Sequence, residues 1–280
     1  MGNRPRESRL VPRTMSLVDV RSRAIARRGL LVTEKSRAHE CEHAGDVTAL
    51  NAKSLDSSAL SEFSVATAET LEGESLSMMS RLAVELKIHL LAGSITERIE
   101  GQEKTYNTSV MLGPDGAKMG VYRKIHLFDI ELPGRVSMKE SASRLSGTEV
   151  VCVGASVGAI GLSVCYDLRF PELYRRLAFA GAKILTVPSC FTFPTGEAHW
   201  ESLLRARAIE NQAYVIAPAQ FGPNVHGYSD YGNSMIIDPW GRVLGCASDQ
   251  EGVVMAPIDL HYLDRVRQQM PALSHARLKS

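Results

Sequence analysis

A single-domain α/β fold, or a layered α+β sandwich, is what this sequence predicts, and three observations predict it. Strand and helix patterns alternate from residue 159 to residue 217, and a tight turn closes a hairpin upstream of them. The chain also has 280 residues, 44% hydrophobic and 22% charged, enough to bury a large core.

The first regular element is a helix, since Met79, Leu82, Ala83 and Leu86 recur at helical spacing. The unbroken apolar run Leu90-Leu91-Ala92-Gly93-Ser94-Ile95 then reads as a buried strand. Two more strands, Asn107 to Leu112 and Lys118 to Arg123, flank Gly113-Pro114-Asp115-Gly116, a strong turn signal. About twenty-five residues without clear periodicity follow Lys124, a length that compact domains rarely leave bare, so this loop is a candidate wall of an active site. Strand, helix and strand are expected over Ala159 to Val164, Pro171 to Ala180 and Lys183 to Val187, the helix opening on a proline at its first turn. A helix over Ala198 to Gln212 and a strand over Ala213 to Ala217 continue the alternation. Three strands close the chain, at Ser234 to Ile237, Val243 to Cys246 and Val253 to Ile258, the first two joined at Asp238-Pro239-Trp240-Gly241.

Charge divides the chain unevenly. The net charge is +1, which argues against nucleic acid as a partner. Residues 1–37, however, hold nine arginines and Lys35 against Glu7, Asp19 and Glu34, a balance of +7 that leaves −6 on the rest. Residues 1–67, basic and then Ser-rich, show little periodicity and are expected to stand outside a domain covering 68–280. Two readings fit them, a disordered basic tail and a mitochondrial presequence, with Glu7 and Asp19 counting against the second. No apolar run is long enough to span a membrane and the start lacks a secretory apolar core, so no membrane partner is expected, and the compartment reads as cytoplasmic with mitochondrial as the alternative. The five cysteines are odd in number and lack CxxC spacing, which disfavours a disulfide framework or zinc ribbon. His39-Glu40-Cys41-Glu42-His43 alternates possible metal ligands but is one isolated cluster, and no phosphate loop or dinucleotide fingerprint can be written.

Chemistry concentrates in two segments. In Gly161-Leu162-Ser163-Val164-Cys165-Tyr166-Asp167-Leu168-Arg169-Phe170-Pro171-Glu172 an apolar strand runs into a thiol and a helix opens soon after, a layout that lifts a nucleophile to a sheet end beside backbone N–H groups. Ser163 should be an inward strand residue and not the nucleophile. In Tyr122-Arg123-Lys124-Ile125-His126-Leu127-Phe128-Asp129-Ile130-Glu131 a strand ends in a Lys, a His and acids. His126 invites a Cys/His protease reading, whereas Lys124 and Glu131 invite amide hydrolysis with an ammonium stabilising the tetrahedral intermediate. Arg205 and Arg207 with Glu210 read as an ion-paired helix face, Arg207 also as a possible partner for a substrate carboxylate; Cys190 reads as a pocket-lining residue or plain packing.

Together the segments resemble the nitrilase superfamily of carbon–nitrogen hydrolases, through Tyr122 to Leu127 and Gly161 to Glu172. Thr195 to Trp200, Leu204 to Gln212, Tyr231 to Ser234 and Asp238 to Gly241 extend the resemblance to its amidase branch, from about Ala68 to about Pro271. The resemblance implies a four-layer αββα sandwich, usually paired into homodimers, acting on a small carboxylate-bearing amide without a cofactor. It gives Cys165 the nucleophile's role, Lys124 the oxyanion, Glu131 the second acid, and Tyr166 a backbone N–H for the oxyanion; His126 becomes structural. The family's general-base glutamate belongs to a P-E-x-F-like motif at the end of an earlier strand, itself preceded by a first strand ending in Gln. Neither motif is found here, and Glu62 in Leu60-Ser61-Glu62-Phe63-Ser64 is the nearest candidate base. The sandwich is therefore expected to lack its first strand, and a catalytically silent relative that only binds ligands is the alternative function.

Overall fold

The computed structural model describes residues 30–33, 46–53, 68–133, 136–223, 228–248 and 252–278. Glu62 and the 39–43 cluster lie outside them.

Two sheets pack face to face, each covered by helix on its outer side. The first sheet runs β13 (Ser229–Tyr231), β12 (Gln220–Pro223), β2 (Asp46–Lys53), β1 (Leu30–Thr33), β3 (His89–Glu97), β4 (Tyr106–Leu112) and β5 (Lys118–Arg123), with β16 (Gly252–Pro257) also pairing β2. The second runs β15 (Val243–Cys246), β14 (Met235–Ile237), β11 (Tyr214–Ala217), β10 (Ile184–Thr186), β9 (Ile160–Leu162) and β8 (Cys152–Val153). Helix α1 (Glu74–Leu86) covers the first sheet; α2 (Pro171–Phe179) and α3 (Phe193–Asn211) cover the second, and α4 (Leu260–Gln269) and α5 (Ala272–His275) follow β16.

The layering follows from the two-residue period of a strand. Along β3, Leu90 and Ala92 face α1 with Leu76, Met79, Leu82 and Ala83, while Leu91 turns to the space between the sheets. In β4, Val110 and Leu112 join the α1 side and Met111 the intersheet side. Across that space lie Ile160, Leu162, Ile184 and Ile216 of the second sheet, all 0% exposed. Strands buried on both faces need apolar residues at every position, which is why they read as unbroken runs.

Two expectations change. The sheet does not begin after residue 67. β1 pairs in parallel with β3, Leu31 opposite Leu90, and with β2, Leu31 opposite Thr48, so β1 and β2 fill the middle of the first sheet. Four- and eight-residue strands inside an Arg- and Ser-rich stretch carry too little alternation to stand out; pairing with β3 and β16 places them. The stretch after Lys124 is also not bare, since β6 (Asp129–Leu132) and β7 (Val136–Lys139) form a hairpin within it.

Parallel pairing of β1 with β3, and two antiparallel steps from β3 through β4 to β5, send β1, β3 and β5 the same way. Their C-terminal ends share one edge, where Lys124 leaves β5.

Candidate functional site

Cys165 sits three residues beyond β9, at the start of a 3₁₀ turn spanning Cys165–Arg169 that leads into α2. Its φ is +52°, the left-handed region that a side chain other than glycine's seldom adopts. The surroundings over-determine this conformation. The Cys165 N–H donates to the Pro188 carbonyl at 2.9 Å, and Arg207 donates from Nε and Nη2 to the Leu168 carbonyl at 3.0 and 2.8 Å, pinning the turn from below. Arg207 also pairs with Glu210 at 2.8 Å and is buried, so it is not placed to meet a substrate. Ser163 is fully buried, bonded to the Thr186 carbonyl and the Tyr174 hydroxyl at 2.7 Å each; its inward orientation is as expected.

Lys124 is 2% exposed, and its ammonium meets Glu140 Oε2 at 2.5 Å. Burial disfavours the ammonium, but Glu140 and then Cys165 outweigh it, so the pKa stands above the ordinary lysine value. Glu140 is likewise pushed up by burial and pulled further down by the Lys124 charge and by the Phe128 N–H, which donates at 2.6 Å, leaving its carboxyl below the ordinary range. The pair is thus ionised on both sides and faces the thiol.

Glu131, expected beside Lys124, is elsewhere. It lies exposed on β6, paired across the hairpin with Ser137, whose hydroxyl donates to it at 2.5 Å. The second acid is Glu140, delivered when the hairpin folds back after β7. A sequence of that loop alone offers several acids, and the return path of the hairpin selects among them.

One buried carboxylate ties the two segments together. Asp167, 0% exposed, accepts from the Tyr122 hydroxyl at 2.7 Å and the Val164 N–H at 2.8 Å on Oδ2. On Oδ1 it meets the His126 N–H at 3.1 Å and His126 Nδ1 at 2.7 Å. The His126 ring stacks on Phe170, centroids 3.7 Å apart and 6° from parallel. His126 and Asp167 are therefore structural, a bolt between the strand end that carries Lys124 and the turn that carries Cys165. Asp167→Asn is isosteric but turns one acceptor into a donor facing N–H groups. It should cost about 1–3 kcal/mol, read as a lower urea midpoint at unchanged slope; an unchanged midpoint would show that the bolt carries no load.

Phe128, Cys165, Tyr166, Arg169, Cys190, Phe191 and Thr195 line a cavity with about 170 Å³ of empty space. The Arg169 guanidinium lies 5.2 Å from the Phe191 ring centroid and 5.8 Å from that of Tyr166, and meets His199 Nδ1 at 3.2 Å. Burial lowers its pKa, opposed by Cys165 and Tyr166, yet an arginine stays charged in such a place. Among the described residues no carboxylate is paired with it. Sequence reasoning passed over Arg169, although it lies four residues past the thiol, in the same turn. Among the described residues no group of three or more His, Cys, Asp or Glu side chains could hold a metal, and no helix is long and apolar enough to cross a membrane.

The family model described as carbon-nitrogen hydrolase matches residues 59–268. Deaminated glutathione amidase of Mus musculus is 47% identical over 213 residues, 75% of this chain and 66% of that protein. Omega-amidase NIT2 of Pongo abelii is 41% identical over 210 residues, 75% of each. The crystal structure of Saccharomyces cerevisiae Nit3, of branch 10 of the nitrilase superfamily, superposes with a TM-score of 0.70 at 31% identity, covering 78% of both chains. This chain thus spans just under two thirds of the length of the mouse relative. With its sandwich, its Cys165 turn and the family model running through three quarters of its length, the chain belongs to the carbon–nitrogen hydrolase family.

Proposed function

We propose that this chain is a cofactor-free thiol amidase that hydrolyses a small amide bearing free carboxylates. Deaminated glutathione is the first substrate to try, because the mouse relative carries that name; the ω-amides implied by the second relative's name come next. The observation that carries the reading is the buried, ionised Lys124–Glu140 pair set against a thiol held at positive φ.

Cys165 Sγ attacks the amide carbonyl. The oxygen becomes an oxyanion met by the Lys124 ammonium and the Tyr166 backbone N–H, donors already oriented before charge develops. Collapse of the tetrahedral intermediate breaks the C–N bond; the nitrogen takes up the proton given up by the Cys165 thiol and leaves as ammonia, and a thioester remains on Cys165. Water then adds to the thioester, with the same oxyanion contacts, releasing the acid and the thiol. Proton transfer calls for a general base. β1 ends at Thr33 on the edge from which Lys124 emerges, and Glu34 is the next residue in the sequence. Glutamine replacements of Glu34 and Glu62, assayed separately, identify the base as the one that lowers kcat by on the order of 10²–10⁴.

Arg169 supports the carboxylate preference, as a charged guanidinium over the cavity with no acidic partner among the described residues. Arg169→Ala should raise KM for a dicarboxylic amide by roughly 10–100-fold and leave an uncharged amide of equal size nearly unaffected. Equal losses on both amides would remove the residue from substrate recognition.

The deciding experiment is ammonia release from deaminated glutathione and from a set of ω-amides, with mass spectrometry for an acyl adduct on Cys165. Saturable binding of these amides with neither ammonia nor adduct would replace the amidase by a silent ligand-binding relative.

A further inference from the structure

The site contains a second thiol that the amidase chemistry does not use. Cys190 lines the same cavity as Cys165, and Cys165 Sγ lies 3.7 Å from the Cys190 carbonyl oxygen.

Strand register brings the two together. β9 and β10 are parallel, with Leu162 opposite Thr186, and the bond from the Cys165 N–H to the Pro188 carbonyl keeps that register to the nucleophile. Cys165 therefore stands opposite Ser189, and Cys190 is one residue further along the neighbouring chain. Adjacent strands about 4.8 Å apart with a rise of about 3.3 Å per residue put the two Cα atoms roughly 6 Å apart, inside the range of roughly 4.4–6.8 Å that a disulfide spans. In regular strands diagonal neighbours point to opposite faces. The φ of +52° at Cys165 breaks that alternation, and both residues border one cavity.

We propose that Cys165 and Cys190 form a peroxide-responsive redox pair, in which Cys190 is the resolving thiol that converts an oxidised nucleophile into a reversible disulfide. The site suits the first step, since the Lys124 ammonium and the Arg169 guanidinium both act on Cys165 and cations favour the thiolate. The thiolate attacks hydrogen peroxide, its sulfur is oxidised to a sulfenic acid, the O–O bond breaks, and the departing hydroxide takes a proton to leave as water. Cys190 as thiolate then attacks the sulfenic sulfur. An S–S bond forms, the S–O bond breaks, and the hydroxyl leaves as water with the proton given up by Cys190. An external dithiol returns both residues to thiols. The remaining described cysteines, Cys152 on β8 and Cys246 exposed on β15, do not line the cavity.

The loss of activity in this scheme rests on Cys165 being the amidase nucleophile; the cross-link does not. Full-length protein is treated with graded hydrogen peroxide, digested without reductant and mapped by mass spectrometry, and ammonia release is measured in parallel before and after dithiothreitol. The expected result is a peptide pair joined through Cys165 and Cys190, with essentially all lost activity restored by dithiothreitol. In Cys190→Ser, Cys165 should instead proceed to the sulfinic acid, and dithiothreitol should recover less than about a tenth of that variant's own starting activity. Sulfinic acid at Cys165 of the unmodified chain without the cross-link would overturn the proposal, as would Cys165 joined to any other cysteine. A cross-link in a chain that releases no ammonia would keep the pair and overturn the amidase reading; ammonia release without a cross-link would do the reverse.

Discussion

Cys165→Ala is expected to abolish ammonia release, by on the order of 10⁴-fold or more, while thermal unfolding stays close to that of the unmodified chain. The two halves of this expectation have separate origins. The side chain is only partly buried, so losing its sulfur leaves a small hole at the cavity wall rather than in the intersheet core. The turn that holds it is fixed by main-chain and Arg207 contacts that alanine keeps, including the bond to Pro188. Nothing else in the cavity lining offers a comparable nucleophile except Cys190, whose role above is to meet Cys165 rather than a carbonyl. Full ammonia release by the alanine variant would remove Cys165 as the nucleophile. A collapse in stability would show instead that the thiol is needed for packing.

Glu140→Gln should be the second most damaging change, and Glu131→Gln should be nearly silent. Glutamine at 140 strips the counter-charge from a lysine that is 2% exposed, and an uncompensated buried charge costs roughly 3–5 kcal/mol. Part of that cost is avoided if Lys124 gives up its proton, which removes the cation meant for the oxyanion. A drop in kcat on the order of 10²–10³ is then expected. The pH profile should carry the signature. Lys124 has its pKa raised in the folded protein, so its contribution is complete below the ordinary lysine value and is lost as pH rises through the higher folded one. Glu140 is depressed, so its contribution is present above the ordinary carboxylate value and fades as pH falls through the lower folded one. In Glu140→Gln the largest influence raising the Lys124 pKa is gone while burial stays, and the alkaline limb of kcat should move to lower pH. An unmoved limb would detach Glu140 from Lys124. Glu131→Gln, on the exposed hairpin, should change stability by less than about 0.5 kcal/mol and leave the pH profile in place.

Much of the second sheet was legible residue by residue. Strands buried on both faces must be apolar throughout, so Ile160 to Leu162, Ile184 to Thr186 and Tyr214 to Ala217 were visible as runs bounded by turns and helices. The same logic exposed Cys165, because a thiol directly after such a run, shortly before a proline-initiated helix, has few places to go but the end of a sheet. Lys124 was legible as the residue where β5 stops.

What the linear chain alone determined, then, is the set of elements whose physics is local: helical spacing in α1, the Gly113 to Gly116 turn, and the nucleophile and the lysine at the ends of their strands. Only the tertiary structure decided the rest. It seated β1 and β2 in mid-sheet, where their hydrogen-bonding partners β3 and β16 are far along the chain. It chose Glu140 over Glu131 as the partner of Lys124, turned Arg207 from a substrate ligand into a brace, set Arg169 over the cavity, and brought Cys190 beside Cys165. The physical reason is common to all of these. Which of several acids, arginines or cysteines meets a given charge or thiol depends on strand register and on the path of a returning loop, and both are fixed by contacts between residues distant in the sequence.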